Sequence, residues 1–130
     1  MLTLIFDADF LSSFLKIERC DLIRTFYQVE QALVPVAVYR ELAQTDLLRP
    51  LLAIPWIRVA PTEPPPDEGL LQDATFQTLG AGERACIALA HAQAESVVLM
   101  SDNKARQFAQ SLGIPLSISW PFSWRAKWPA

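Results

Sequence analysis

The stretch that decides the fold is LIFDADFL, residues 4–11, in which two carboxylates interrupt one of the most apolar parts of the chain. Residues 2–6 form a short apolar run that is typical of a buried strand, and the run ends at Asp7. Because an unpaired buried charge is unfavourable, Asp7 and Asp9 must lie at the surface end of this strand or have a cation beside them.

Outward from this stretch, short apolar runs alternate with segments of helical periodicity. Further strands are predicted at residues 32–34, 56–60, 97–100 and 116–118. Helices are predicted at residues 10–17, 21–27, 36–43, 46–53, 70–78, 83–94 and 102–112. Asp9 is expected to cap the first helix and Pro35 to occupy the first turn of the third. The order predicts an α/β fold, a three-layer α/β/α sandwich with a central, mostly parallel sheet of four or five strands.

Composition limits the class of protein. The 130 residues are 52% hydrophobic and 19% charged, which favours one folded domain over a disordered chain. The proline-rich segment 61–66 is too short to separate two domains and is predicted to be a loop. No apolar run is long enough to cross a membrane. Cys20 and Cys86 are interpreted as reduced core thiols, which suits a cytoplasmic location, and His91 as an ordinary helix residue.

Four acids are expected to meet at one edge of the sheet. Asp7 and Asp102 each follow an apolar strand, and the carboxyl ends of parallel strands share an edge where ligands bind. Glu41 lies in the second turn of the helix after the second predicted strand. Glu83 lies in the first turn of the helix before the Asp102 strand, where Gly80 and Gly82 permit a close approach.

Each acid alone also has a structural explanation, as a helix cap, a charge near a helix dipole or a solvated side chain. Together they would repel strongly, by roughly 4 kcal/mol for two charges about 4 Å apart at an effective dielectric constant of about 20. Oxygen ligands without sulfur or imidazole favour Mg²⁺ or Mn²⁺ over zinc. Such ions support phosphate chemistry, and the sequence has no Walker-type loop, G-x-G-x-x-G, G-x-S-x-G or H-E-x-x-H motif. The net charge of −3 argues only against a surface that is basic throughout.

Four segments together resemble the PIN-domain family of ribonucleases, in particular VapC-like toxins. IFDADFL resembles the opening D-x-N/S/D segment, and VPVAVYREL resembles the segment that carries the second acid. GAGERACIALA and VVLMSDNKARQFAQSLGIP resemble a branch with G-E-x-x-A-I-x-L-A followed by S/T/D-D-x-x-A-R. The likeness runs from residue 2 to about residue 118, so a PIN-like domain is expected at 1–118, with a tail at 119–130.

The resemblance implies that Asp7, Glu41, Glu83 and Asp102 ligate one or two Mg²⁺ or Mn²⁺ ions, and that a metal-activated water hydrolyses RNA. It further implies supporting roles for Asp9 and Ser101. Basic residues near the acids are candidate contacts to RNA phosphates, although a solvated helix face is the simpler explanation of each: Arg40, Arg84, Lys104 and Arg106.

The end of the chain departs from the family pattern. Instead of a glycine-containing turn and a further helix, it runs SWPFSWRAKWPA. The tail has tryptophans four residues apart, as on one face of a helix: Trp120, Trp124 and Trp128. Its prolines argue against a long helix, and the alternation of Trp120, Phe122 and Trp124 also fits an extended strand. The tail is expected either to pack on its own domain or to contact another chain, such as a second copy in a homodimer or a protein antitoxin.

Two other readings of the sequence remain open. Asp7-x-Asp9 after a strand also resembles the nucleophile motif of haloacid-dehalogenase-type phosphatases. However, DADFLSS lacks their usual continuation, Lys104 follows Asp102 instead of preceding it, and Glu41 and Glu83 would have no role. The third reading is a catalytically inactive PIN-like module that binds RNA or protein.

Overall fold

The computed structural model describes residues 2–61, 63–93 and 95–116. Four strands form one sheet in the order β3-β2-β1-β4: β1 is Thr3–Phe6, β2 is Ala32–Val34, β3 is Ile57–Val59 and β4 is Ser96–Leu99. Every pairing is parallel, with Leu4 opposite Ala32 on one side of β1 and opposite Val97 on the other. The predicted α/β class and parallel sheet are confirmed.

Eight helices connect and cover the strands in the described part of the chain. Their bounds are α1 Ala8–Lys16, α2 Cys20–Tyr27, α3 Val36–Ala43, α4 Leu48–Leu52, α5 Glu68–Gln72, α6 Ala74–Thr78, α7 Ala81–Ala92 and α8 Asn103–Ser111. Leu4, Ile5 and Phe6 are all fully buried, although successive strand residues point to opposite faces. Both faces of β1 are therefore covered, as a parallel sheet requires.

Helix α7 links the sheet to α3. It packs against β1, β4 and α3, and its small residues allow this close fit. The thiol of Cys86 donates a hydrogen bond to the backbone carbonyl of Phe6, which joins α7 to the end of β1. The core that results holds the first turn of α7 beside the carboxyl end of the sheet.

Helix boundaries differ from the predictions where a capping residue decides them. Asp7, and not Asp9, is the N-cap of α1, so Asp9 lies inside the first turn. Pro35 is the N-cap of α3 and precedes its first turn. The predicted helix 70–78 is two short helices, because the Asp73 carboxylate accepts hydrogen bonds from the N–H groups of Thr75 and Phe76 and starts a new helix.

Leu116 is the one residue of the predicted last strand, 116–118, that the structure describes, and it forms a β-bridge. Leu116 pairs with Val98 in parallel, at the edge of the sheet beyond β4. Residues 117–118 and the predicted tail 119–130 lie outside the described residues. Among the described residues, no helix is long and apolar enough to span a bilayer.

Candidate active site

The sheet order places a crevice between β1 and β4. From β1 the chain moves outward through β2 and β3, and then returns to the other side of β1 to form β4. Ligands of open parallel sheets bind at such a reversal, beyond the carboxyl ends of the strands. Asp7 follows β1 directly and Asp102 follows β4 after two residues, so both predicted acids lie at this crevice.

Asp7 and Glu41 meet above Gly82. A Cβ atom on Gly82 would lie 3.0 Å from Oε1 of Glu41 and 3.8 Å from Oδ1 of Asp7. It would also lie 3.2 Å from Cγ2 of Val38, which packs α3 against α7. The missing side chain at Gly82 therefore makes room for two carboxylates, one from α3 and one from the end of β1.

Glu83 and Asp102 form the second half of the site. Oε1 of Glu83 accepts a hydrogen bond from the Gly80 N–H at 3.3 Å, and Oδ2 of Asp102 accepts one from the Ala105 N–H at 2.9 Å. Each acid thus uses one oxygen to cap a helix, which bears out the structural explanation for that oxygen. The two carboxyl groups lie close enough that Asp102 raises the pKa of Glu83.

Burial and mutual repulsion oppose ionisation of these acids. Asp7 is only 4% exposed, and burial, followed by the charges of Glu83, Asp9 and Glu41, raises its pKa to about 7, although the Ala8 N–H acts in the opposite direction. The pKa of Glu83 is also raised, first by burial and then by the charge of Asp102. The site therefore binds protons more readily than ordinary carboxylates do, and a cation would relieve the same repulsion.

The carboxylate oxygens suit a hard divalent ion as ligands, but the described residues do not form a complete coordination shell. Oε2 of Glu83 is buried and accepts no hydrogen bond within the described structure. This is the kind of free oxygen that a cation would satisfy. Across residues 2–61, 63–93 and 95–116, however, no three Asp, Glu, His or Cys side chains form a ready-made metal-binding group. Since Glu41 is exposed on α3, its side chain has room to turn toward an ion.

The two residues predicted to support the acids lie at the same rim. Asp9 is exposed in the first turn of α1, close enough that its charge raises the pKa of both Asp7 and Glu83. Ser101 is exposed between the end of β4 and Asp102. Asp9 thus adds negative charge to the cluster, which increases the need for a cation.

The four predicted basic residues differ in their surroundings. Arg40, Arg84 and Lys104 are exposed on α3, α7 and α8, next to or near Glu41, Glu83 and Asp102. Arg106 is partly buried, and its Nη1 donates a hydrogen bond to the Met100 carbonyl at 2.9 Å. Arg106 therefore holds the end of β4 in place, a role that its position in the sequence did not reveal.

Sequence reasoning also missed the part played by Cys86, which was interpreted as a plain core thiol. Its Sγ lies 3.3 Å from the Phe6 carbonyl, directly before Asp7. Burial, and then the charges of Asp7, Glu83 and Glu41, raises the pKa of the thiol well above its ordinary value. The spacing of three residues between Glu83 and Cys86 was the available signal, because it places both on one side of α7.

A model of a known protein family matches most of the chain. The family model DUF3368, described as a PIN domain, matches residues 3–117, which is most of the 130-residue chain. No curated protein and no solved structure matches the sequence. The matched range contains all four acids and every strand of the sheet.

Proposed function

The chain belongs to the PIN-domain family, and on this premise we propose that it is a divalent-metal-dependent ribonuclease. PIN domains are commonly nucleases, and they generally use divalent metals. The observation that carries the proposal is the meeting of Asp7, Glu41, Glu83 and Asp102 from four separate segments at one rim of the sheet. The haloacid-dehalogenase reading gains no support from the family match.

Asp7, Glu41, Glu83 and Asp102 would hold one or two Mg²⁺ or Mn²⁺ ions. When bound, such an ion lowers the pKa of a water molecule and stabilises negative charge on a phosphodiester. Asp7 supplies a carboxylate from the rigid end of β1, while Asp102 is held by its cap on α8. Glu83 contributes the oxygen that no described residue satisfies.

Exposed basic residues beside the acids would orient the RNA. Three basic residues are exposed, and each lies next to or within two residues of an acid in the sequence: Arg40, Arg84 and Lys104. Contacts of this kind position a nucleic acid by its phosphates without reading its sequence. Arg106 would act indirectly, by holding the Met100 carbonyl and thereby the approach to Asp102.

The biological role that fits this activity is that of the toxin in a toxin–antitoxin pair, acting on RNA in the cytoplasm. A protein antitoxin and a homodimer are the partners that the family resemblance implies. The surplus of apolar residues in the chain leaves surface for such contacts.

The direct test is RNA cleavage by the purified protein. We expect cleavage with Mg²⁺ or Mn²⁺, no cleavage in EDTA, and a loss of at least about 100-fold in Asp7→Asn. Asp46→Asn is the matched control, because Asp46 is an exposed acid in the turn before α4 and should leave the rate unchanged.

Each contrary result identifies another function. Metal-dependent RNA binding without cleavage would identify the catalytically inactive alternative. Hydrolysis of a small phosphomonoester with intact RNA would identify a phosphatase. Cleavage that persists in Asp7→Asn at the wild-type rate would show a contaminating nuclease and would contradict the proposed site.

A further inference from the structure

A cavity lies near the candidate active site, beside the proline-rich segment that follows β3. We call residues 63–66 the proline strap. The cavity measures about 320 Å³, is open to solvent, and is lined by the strap together with apolar side chains of α3, α5, α6 and α7: Ala37, Leu71, Phe76, Ala85 and Ala88. A cavity of this size accommodates a small planar ring.

The cavity and the acids share the first turn of α7. Ala81 and Arg84 line the cavity, whereas Gly82 and Glu83 contact the acids. On α3, Ala37 precedes Glu41 by one helical turn, a rise of about 6 Å. Since the two pairs of α7 residues lie on different faces of that helix, a chain molecule held at the acids would reach the cavity by crossing the N-terminal end of the helix, which is about 10 Å wide.

The charged groups of the cavity match a nucleotide. Arg84 is the single cation among its described lining residues, and Glu63 is the single acid. A guanidinium binds phosphate or stacks on a base, and a carboxylate accepts hydrogen bonds from the amino group of a base. The remaining walls are apolar, and this suits the faces of an unstacked base.

We infer that this cavity is a subsite for one unstacked base of single-stranded RNA, next to the phosphate at which the acids act. The inference rests on the proposed function. It assigns the proline strap to base stacking and Arg84 to the adjoining phosphate. A protein segment is the competing occupant, and the experiment below is chosen so that the two give different results.

The test is binding of short single-stranded RNAs to the full chain in EDTA, where no cleavage occurs. An abasic nucleotide is moved along the RNA one position at a time. At one position we expect the affinity for wild-type protein to fall roughly 5- to 150-fold, which is the range for loss of one stacked base. At the other positions the affinity should change little.

Two variants locate the effect. Ala85→Leu fills the cavity and should lower the affinity for intact RNA by the same factor, while abolishing the further loss caused by the abasic site. Ala92→Leu is the matched control, because Ala92 is exposed at the far end of the same helix. Thermal melting establishes that each variant is folded.

Arg84→Gln separates the phosphate contact from base stacking. It should reduce the slope of log affinity against log salt by about 0.7, as expected for one lost phosphate contact to a single strand. Ala85→Leu should leave this slope unchanged. Arg49→Gln, at an exposed position on α4, is the control for a change of net charge.

The inference is overturned if Ala85→Leu binds intact RNA as tightly as the wild type, or if no abasic position differs from the others. RNA cleavage that remains normal in that case would leave the proposed function standing, with the cavity assigned to a protein contact. If wild-type protein neither binds nor cleaves RNA, the proposed function and this inference fail together.

Discussion

Sγ of Cys86 lies 3.3 Å from the backbone carbonyl oxygen of Phe6 and donates a hydrogen bond to it. The bond joins α7 to β1 one residue before Asp7, so the positions of Glu83 and Asp7 depend on the same contact. Cys86 is fully buried, and its raised pKa keeps the thiol protonated and able to donate.

Both thiols should be unreactive in the folded protein. Cys86 and Cys20 are buried, and burial followed by the charge of Asp21 raises the pKa of Cys20 to about 11. Since the thiolate is the nucleophile, we expect no reaction with a disulfide reagent at about pH 8 until the protein unfolds. A chromogenic thiol assay with and without denaturant measures this, and rapid reaction of either thiol in the folded state would contradict the described packing.

The metal-free protein should lose stability as the pH rises. Asp7 has a pKa of about 7 when folded and 3.8 as a model value, so between these values the folded state binds more protons than the unfolded state. The free energy of unfolding should therefore fall between about pH 4 and pH 7, by at most ~4 kcal/mol from this group, and then level off.

Asp7→Asn should remove most of this decline, because it has no proton to lose. Urea unfolding in EDTA over this pH range is the measurement. We expect the variant and the wild type to be similar near about pH 4 and the variant to be more stable near about pH 8. Parallel curves for the two proteins would show that Asp7 ionises normally in the fold.

Divalent metal should stabilise the folded protein through the acid cluster. At a free metal concentration of 100 times Kd, the gain is about 2.7 kcal/mol, which a thermal melt with Mn²⁺ against EDTA detects readily. The gain should shrink at about pH 5.5, since protons then compete for Asp7. Asp102→Asn should respond much less, although asparagine caps a helix as well as aspartate does.

Asp46→Asn serves again as the control for the metal titration, because it removes one exposed acid away from the cluster. It should respond to Mn²⁺ as the wild type does. If Asp102→Asn also responds like the wild type, Asp102 is not a ligand.

Gly82→Ala should impair metal binding more than folding. The new methyl group would lie 3.0 Å from Oε1 of Glu41 and 3.2 Å from Cγ2 of the buried Val38, so Glu41 must turn away and Val38 must shift. The better helix propensity of alanine offsets this cost by about 1 kcal/mol. We expect a stability change within about 1 kcal/mol and a roughly tenfold weaker response to Mn²⁺.

Gly69→Ala is the matched control for this substitution. A Cβ there would meet only Oδ1 of Asp67, at the ordinary contact distance of 3.5 Å. Its metal response should equal that of the wild type. A wild-type response in Gly82→Ala would show that Glu41 does not need the space above Gly82.

The α/β class and the parallel sheet were predictable because they follow from short-range pattern and general topology. Residues 32–34 were predicted as a strand with the bounds that the structure has, since an apolar run between polar turns leaves little choice. The prediction that the acids share one edge came from the rule that parallel strands end at a common edge. Both inferences need only the order of residues along the chain.

What the sequence did not reveal depends on competition between local interactions. Asp73 divides the predicted helix 70–78 into two. Its carboxylate accepts hydrogen bonds from the N–H groups of Thr75 and Phe76, and these bonds begin a new helix there. Arg106 was assigned to RNA phosphates as one possibility, but its guanidinium binds the Met100 carbonyl. The pKa of Asp7 is raised mainly by burial, which depends on elements distant in the sequence. The spacing of residues along the chain does not reveal this burial.

The pairing of Leu4 with Val97 also has a consequence for how the protein is made. During synthesis on the ribosome, β1, β2 and β3 emerge before β4, so the edge of β1 that β4 covers stays unpaired until residue 99 has been translated. Asp7 and Glu41 emerge before Glu83, and Asp102 emerges last of the four acids. A nascent chain that ends between Glu41 and Glu83 thus carries half of the acidic cluster, and the complete cluster forms only after Asp102 has emerged.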